Sequence, residues 1–131
     1  MQNYLLFIKL IVIAMSLVGI NAFANTNLTN CLAMARQMNT QLPKKIDFLT
    51  TLEATSCLED KGKVYFQYVH IISDPASLPK DIERKAKASA KSQYCSNAEF
   101  IRTLNHFSFD FYYVDNKRKP LYSFTLTKRD C

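Results

Sequence analysis

Apolar residues recur along the chain with two different periods, and the change of period marks the predicted helices and strands. Apolar positions three and four residues apart predict a first helix, capped by Thr29 or Asn30, that runs to about Thr40 before Pro43 ends it. Alternation then predicts strands over residues 45–58 and 63–73, joined by a turn that contains Gly62. In the first strand the alternation predicts that four side chains share one face: Ile46, Phe48, Leu52 and Ala54.

The second half of the chain repeats this order. Pro79 suits the first position of a helix, and the apolar stripe behind it predicts that this helix continues to about Tyr94. Ser96 and Glu99 have the spacing of a capping box, which predicts a further helix to about residue 105. Strands follow over residues 106–114 and 121–127, on either side of a hairpin loop. The first of them places its large aromatic residues on one face: Phe107, Phe109, Phe111 and Tyr113.

The predicted order is therefore α-β-β-α-β-β, and each half is a helix that leads into a hairpin. This order is typical of an α+β fold, so we expect a four-stranded antiparallel sheet with the helices packed on one face. The repetition is consistent with an internal duplication, although the two halves share few identical side chains.

The first 24 residues have the composition of a signal peptide. Lys9 precedes a mostly apolar run that is too short to span a bilayer, which takes about 20 apolar residues. Ala22-Phe23-Ala24 then has the small-x-small pattern of a cleavage site. We therefore expect residues 25–131 to form a single disulfide-stapled domain, periplasmic or secreted, with no transmembrane segment after cleavage. The alternative is an uncleaved N-terminal anchor, which the charge of Lys9 inside the longer apolar run disfavours.

The chain has four cysteines, and all of them lie beyond the predicted signal peptide. An even number in a short exported chain indicates two disulfides, for which three pairings exist. We favour Cys31–Cys57 with Cys95–Cys131, because each bridge then closes one half of the repeat. Cys31–Cys131 with Cys57–Cys95 is the alternative. The spacing contains no Cys-x-x-Cys pair, which argues against a redox-active dithiol and against zinc knuckles.

Charge and motifs argue against several classes of function. The formal net charge is +6, but the basic residues are spread along the chain, so we expect no nucleic-acid partner. Two glycines are too few for a Gly-rich phosphate loop, and no hydrolase elbow or zinc-protease motif occurs. We therefore expect no cofactor, no metal and no catalytic residue. An enzyme is the alternative only if His70, His106 and Asp110 converge in one pocket.

Tyrosines are the remaining candidates for a functional role. Tyrosine gives a large contact area at a small entropic cost, so a tyrosine-bearing open face of the sheet would suit a protein partner. We expect Tyr65, Tyr112 and Tyr122 to lie on that face, opposite the phenylalanines, and to bind the partner. Ordinary cross-strand packing is the alternative.

Two segments of the chain resemble a group of known sequences. The stretch from Cys95-Ser96-Asn97 through Phe111-Tyr112-Tyr113-Val114-Asp115 to Thr127-Lys128-Arg129-Asp130-Cys131 resembles the C-terminal half of many small exported bacterial proteins of undefined function. Leu42-Pro43 followed by Asp47 and Thr50 is similar to their N-terminal half. The resemblance implies the same fold and a Cys95–Cys131 bridge, and it implies no catalytic residue. These proteins often have Gly in the last hairpin, where this chain has Lys117-Arg118-Lys119.

Small size, two expected disulfides and the lack of catalytic motifs favour a non-enzymatic periplasmic binding protein that acts through protein–protein contact. Inhibitors, immunity proteins and accessory proteins of envelope machines share these properties, so we expect a protein partner in the cell envelope. The alternative is a small periplasmic hydrolase or metal-dependent enzyme that uses His70, His106 and Asp110.

Overall fold

A computed structural model describes residues 26–131, so the predicted signal peptide lies outside the described residues. Two short 3-10 turns, Pro75–Ser77 and Lys128–Asp130, accompany the helices and strands. No helix within residues 26–131 combines the length and the apolar character needed to cross a bilayer. The helices and strands, in chain order, are α1 Thr26–Asn39, β1 Lys44–Lys45, β2 Thr50–Asp60, β3 Lys63–Ile72, α2 Ile82–Tyr94, α3 Ala98–Thr103, β4 Ser108–Val114 and β5 Pro120–Leu126.

The strands form one mixed sheet in the order β1-β2-β3-β4-β5. Strands β3 and β4 are parallel, and the other neighbours are antiparallel. The prediction of four antiparallel strands is therefore wrong, although the α+β class is confirmed. Helices α2 and α3 lie between β3 and β4 in the chain. A parallel pair needs a crossover connection of this kind, and here the helices return the chain so that β4 starts beside the start of β3.

The fifth strand exists because the first predicted strand, residues 45–58, is broken near its start. Asp47 Oδ1 accepts hydrogen bonds from the backbone N–H groups of Leu49 at 2.9 Å and Thr50 at 2.8 Å, which close a tight turn. The residues before the turn form β1, which pairs back onto β2. Phe48 lies in the turn and is 79% exposed, so the prediction that it shares one strand face with the buried Ile46 and Leu52 is wrong.

A bulge in β2 between Leu52 and Ala54 changes which residues face the core. Leu52 pairs with His70 and Ala54 pairs with Val69. Because successive residues of a strand point to opposite faces, Leu52 and Ala54 also lie on opposite faces. The predicted alternation of β2 is therefore correct only as far as the bulge.

The helices of the described range pack on one face of the sheet, as predicted, and we call this the covered face. The predicted aromatic face of β4 is part of it. Residues of α1 and α2 join these rings in one hydrophobic core, which includes Cys31, Met34, Met38, Phe66, Tyr68, Ala90, Tyr94, Phe107, Phe109, Phe111 and Phe124. The opposite face, which we call the open face, carries the alternate residues of the same strands, including Tyr65, Gln67, Val69, Asp110, Tyr112 and Thr125.

The helices differ from their predictions mainly at their N-termini. Helix α1 begins at Thr26, earlier than the predicted cap, and α2 begins after Pro79 rather than at it. The predicted capping box of Ser96 and Glu99 does not cap α3. Asn97 is the N-cap instead, and its side chain accepts a hydrogen bond from the Phe100 N–H at 3.1 Å. Ser96 Oγ donates instead to a backbone carbonyl of the preceding helix.

The first disulfide ties a helix to the sheet, and the second ties a helix to the C-terminal residue of the chain. Cys31 of α1 is bonded to Cys57 of β2, and Cys95 at the end of α2 is bonded to Cys131. This is the pairing that the repeat favoured. Since Cys31 belongs to the buried core, the first bridge also fixes the depth at which α1 packs.

Candidate partner-binding groove

A groove of about 420 Å³ opens on the covered face. One wall is α2, the other is the turn between β1 and β2, and the floor is formed by β3, β4 and β5. Most of its lining is apolar, and the charged residues at its edges are Asp47 and Lys85. Pockets that bind ligands in proteins commonly have volumes of about 300–1,000 Å³, so the groove has the size of a binding site.

The floor of the groove is a row of three stacked rings. His70 pairs with Tyr113 across β3 and β4, and Tyr113 pairs with Tyr122 across β4 and β5. The ring centroids are 4.4 Å apart for His70 and Tyr113 and 4.3 Å apart for Tyr113 and Tyr122, with nearly parallel planes. Each ring comes from a different strand at the same level of the sheet, so backbone pairing holds the floor in place before any ligand arrives.

His70 is neutral in this environment. It is 3% exposed, and its Nδ1 lies 3.3 Å from the backbone carbonyl oxygen of Tyr112, an atom that can only accept a hydrogen bond. Nδ1 therefore carries the proton and donates it. Burial lowers the pKa of His70 to about 4, against smaller opposing effects from the Tyr112 carbonyl and the charge of Asp47. The floor of the groove is therefore uncharged at neutral pH.

Two features of the wall residues keep the groove open. On α2, the groove is lined by the small side chains of Ala86 and Ala90, where larger residues would fill the space. On the other wall, the Asp47 turn holds Phe48 at the rim with most of its ring exposed. An exposed apolar ring therefore lies beside an apolar groove.

The structure divides the three tyrosines that we predicted to share the open face. Tyr65 and Tyr112 lie on that face, whereas Tyr122 lies in the groove on the covered face. The reason is the register of β5, in which Tyr122 pairs with Tyr113 and so must point the same way as that residue. The binding role of the three tyrosines stays a prediction.

The structure does not bring the predicted enzyme residues together. His70 lies in the groove on the covered face, and Asp110 lies on the open face. His106 lies in the turn before β4, and the strand extends by roughly 17 Å from its first residue, Ser108, to Tyr113, the partner of His70. In the part of the chain that the structure describes, no three His, Cys, Asp or Glu residues gather as a metal site would require. These residues cannot share a substrate, which contradicts the alternative of an enzyme that uses them.

The groove itself was missed in the sequence because its two walls are distant in the chain. One signal was available: Asp47 followed by Thr50 has the spacing of a side-chain-closed turn, which would have broken the long predicted strand. Small alanine side chains on the apolar stripe of α2 predict close packing of this helix on the sheet. Ala90 fits that interpretation since it is buried, whereas Ala86 is only partly buried and borders the groove.

Comparison with known proteins finds structures that share the fold of this chain. No protein-family model matches the chain, and no curated protein matches its sequence. A pilotin from the type 2 secretion system of Vibrio vulnificus has a similar structure, with a TM-score of 0.66, 14% identity and coverage of 82% of this chain and 94% of that chain. A pilotin from the type II secretion system of Vibrio cholerae has a TM-score of 0.61 with the same identity and coverage.

A third similar structure is that of a "putative secreted protein" from Pseudomonas aeruginosa. Its TM-score is 0.67 at 11% identity, with coverage of 86% of this chain and 99% of that chain. The chain therefore shares its fold with these two pilotins and with the Pseudomonas aeruginosa protein. Each of these proteins is matched over nearly its whole length, so the likeness concerns the complete domain.

Proposed function

We propose that this chain is a non-enzymatic accessory protein of an envelope secretion machine, and that it binds an apolar segment of a protein partner in the groove. The observation that carries the proposal is the groove itself, with its apolar lining, its preformed aromatic floor and the exposed ring of Phe48 at its rim. The shared fold with two pilotins supports the choice of an envelope machine over an inhibitor or an immunity protein.

The chemistry of the groove favours apolar contact over catalysis or charge recognition. His70 is neutral there, and its N–H is already donated to a backbone carbonyl. Covering the ring of Phe48 removes apolar area from water, and full burial of such a side chain is worth about 1.5–3 kcal/mol. Because the residues of the floor are fixed by strand pairing, little entropy is lost when a partner binds.

We also propose that residues 1–24 direct export and that the domain works in the periplasm. The two disulfides support this location, because such bridges persist in oxidising compartments and are rare in the cytosol.

Site-specific photocrosslinking in cells tests the groove. A benzophenone amino acid placed at Phe48 is expected to crosslink one protein, and mass spectrometry should identify it as a component of an envelope secretion machine. The matched control is the same probe at Ile101, another exposed apolar residue (40% exposed), which lies on α3 outside the groove lining. This second position is expected to give no such product.

A groove-filling variant separates specific binding from chance contact. Ala86→Trp places a large ring where α2 borders the groove, and it is expected to abolish the crosslink from position 48 while circular dichroism shows a folded protein. A crosslink that survives Ala86→Trp would refute docking in the groove. A folded, oxidised protein that gives no crosslink from position 48 would refute it as well.

A further inference from the structure

The open face of the sheet contains a buried carboxylate. Asp110 of β4 is 7% exposed, although this face carries no helix of the described range. Its burial comes from neighbours on the same face: Gln67 pairs with it on β3, and Thr125 pairs with it on β5. A carboxylate at this position has lost most of its hydration, which costs free energy unless other groups compensate it.

The groups that contact Asp110 are all neutral. Thr125 Oγ1 donates to one carboxylate oxygen at 2.6 Å, and Gln67 Nε2 and the Tyr112 hydroxyl donate to the other at 3.2 and 3.4 Å. Burial, together with the charge and the hydrogen bond of Asp110, raises the pKa of Tyr112, so its hydroxyl keeps the proton that it donates. Three donors therefore orient the carboxylate without neutralising its charge.

No cation of the described residues pairs with Asp110. On β2, the carboxylate of Glu53 forms an ion pair with Arg118 of the β4–β5 loop. The loop thus supplies the positive charge of Arg118 to Glu53, but it supplies none to Asp110. A positive group from outside the domain would complete the set.

We propose that the open face is a second interaction surface, which binds a protein partner that places an arginine side chain on Asp110. The desolvation of the carboxylate has already taken place in the free protein, so an incoming cation gains the attraction without that cost. Asp110 accepts three hydrogen bonds, and a carboxylate has about four lone-pair positions, so one position remains for the guanidinium.

The surroundings of Asp110 favour arginine as the inserted residue. Tyr65 and Tyr112 lie on either side of the carboxylate along the two parallel strands, and Tyr112 is 37% exposed. A planar guanidinium stacks on tyrosine rings and donates to a carboxylate at the same time, which a lysine ammonium does less well. The half-buried Val69 lies opposite Tyr112 and offers an apolar surface for the methylene stem.

Two short peptides test this assignment on the native protein. Acetyl-Gly-Arg-Gly-amide and the same peptide with citrulline in place of arginine have the same shape, but only the first carries a charge. In ¹H–¹⁵N spectra, the arginine peptide is expected to shift the backbone amides of Asp110, Gln67 and Thr125. The citrulline peptide is expected to bind at least tenfold more weakly, as is the arginine peptide to the Asp110→Asn variant.

The control variant is Glu83→Gln, which changes the net charge by the same amount at an exposed site on α2 and is expected to leave binding unchanged. Equal binding of the two peptides would overturn the proposal, and this comparison does not depend on how any variant folds. Shifts confined to groove residues would overturn it too. If the same amides shift with protein concentration in the absence of peptide, the occupant is a second copy of the chain and the assignment to a foreign partner is wrong.

Discussion

The neutral histidine in the floor of the groove predicts that the protein loses stability in mild acid. The pKa of His70 is about 4 in the folded protein, below the ordinary value of 6.5 that applies to the unfolded chain. Between these two values the unfolded chain binds a proton that the folded chain does not. Stability is therefore complete above about pH 6.5 and falls as the pH decreases toward 4.

The magnitude follows from the two pKa values. Between pH 7.5 and pH 5, protonation of the unfolded chain at His70 lowers the free energy of unfolding by about 2 kcal/mol, since each pKa unit corresponds to about 1.4 kcal/mol. Urea unfolding at the two pH values measures the loss. His70→Phe keeps an aromatic ring beside Tyr113 but cannot be protonated, so its loss over the same interval should be about 2 kcal/mol smaller.

Two features of this experiment guard against misinterpretation. His70→Phe also removes the hydrogen bond to the Tyr112 carbonyl, which costs about 1 kcal/mol at both pH values and cancels in the difference between them. The control His106→Gln removes the other histidine and should retain the full loss of the unsubstituted protein. Parallel pH profiles for the unsubstituted protein and His70→Phe would refute the burial argument for His70.

Three further predictions concern stability and can be measured by chemical denaturation. Replacing Cys95 and Cys131 by serine opens a bridge that spans 36 residues and should lower the free energy of unfolding by about 4 kcal/mol. If the unsubstituted protein has the same free energy of unfolding with and without a reductant, the estimate from loop entropy is wrong. Thr55→Val removes hydroxyl hydrogen bonds of 3.1 and 2.9 Å to α1 in a buried site and should cost about 1–3 kcal/mol, whereas the same change at the half-buried Thr51 should cost much less. Gly62→Ala should cost about 1 kcal/mol, because φ is +77° there and an added Cβ would contact nothing within 4 Å, so a larger loss would indicate a different turn.

The sequence predicted those features that depend on local periodicity. The aromatic row of β4, with Phe107, Phe109 and Phe111 on one face, follows from strict alternation and is confirmed. Gly62 is confirmed at a turn position with positive φ, where Lys61 before it also has positive φ. Both signals act within a few residues, so no knowledge of the remaining chain was needed to interpret them.

Two of the three features that sequence reasoning missed depend on long-range pairing, and the third depends on a local turn. The parallel β3–β4 pair follows from a crossover, the face of Tyr122 follows from its pairing with Tyr113, and the open position of Phe48 follows from a turn that Asp47 closes. The groove combines all three. A candidate site assembled from distant segments is therefore less predictable than the core, because a shift of one residue in any strand moves a side chain to the other face.

The connectivity of the disulfides has a consequence for the order of assembly. Cys31–Cys57 lies within the segment α1 to β3, and Cys95–Cys131 lies within the segment α2 to the C-terminus, so neither bridge joins the two halves. In a chain that is translocated from its N-terminus, the first pair can oxidise while the second pair is still on the other side of the membrane. Consecutive cysteines are then always correct partners, and an oxidase that acts on residues as they emerge produces the native bridges without a later isomerase step.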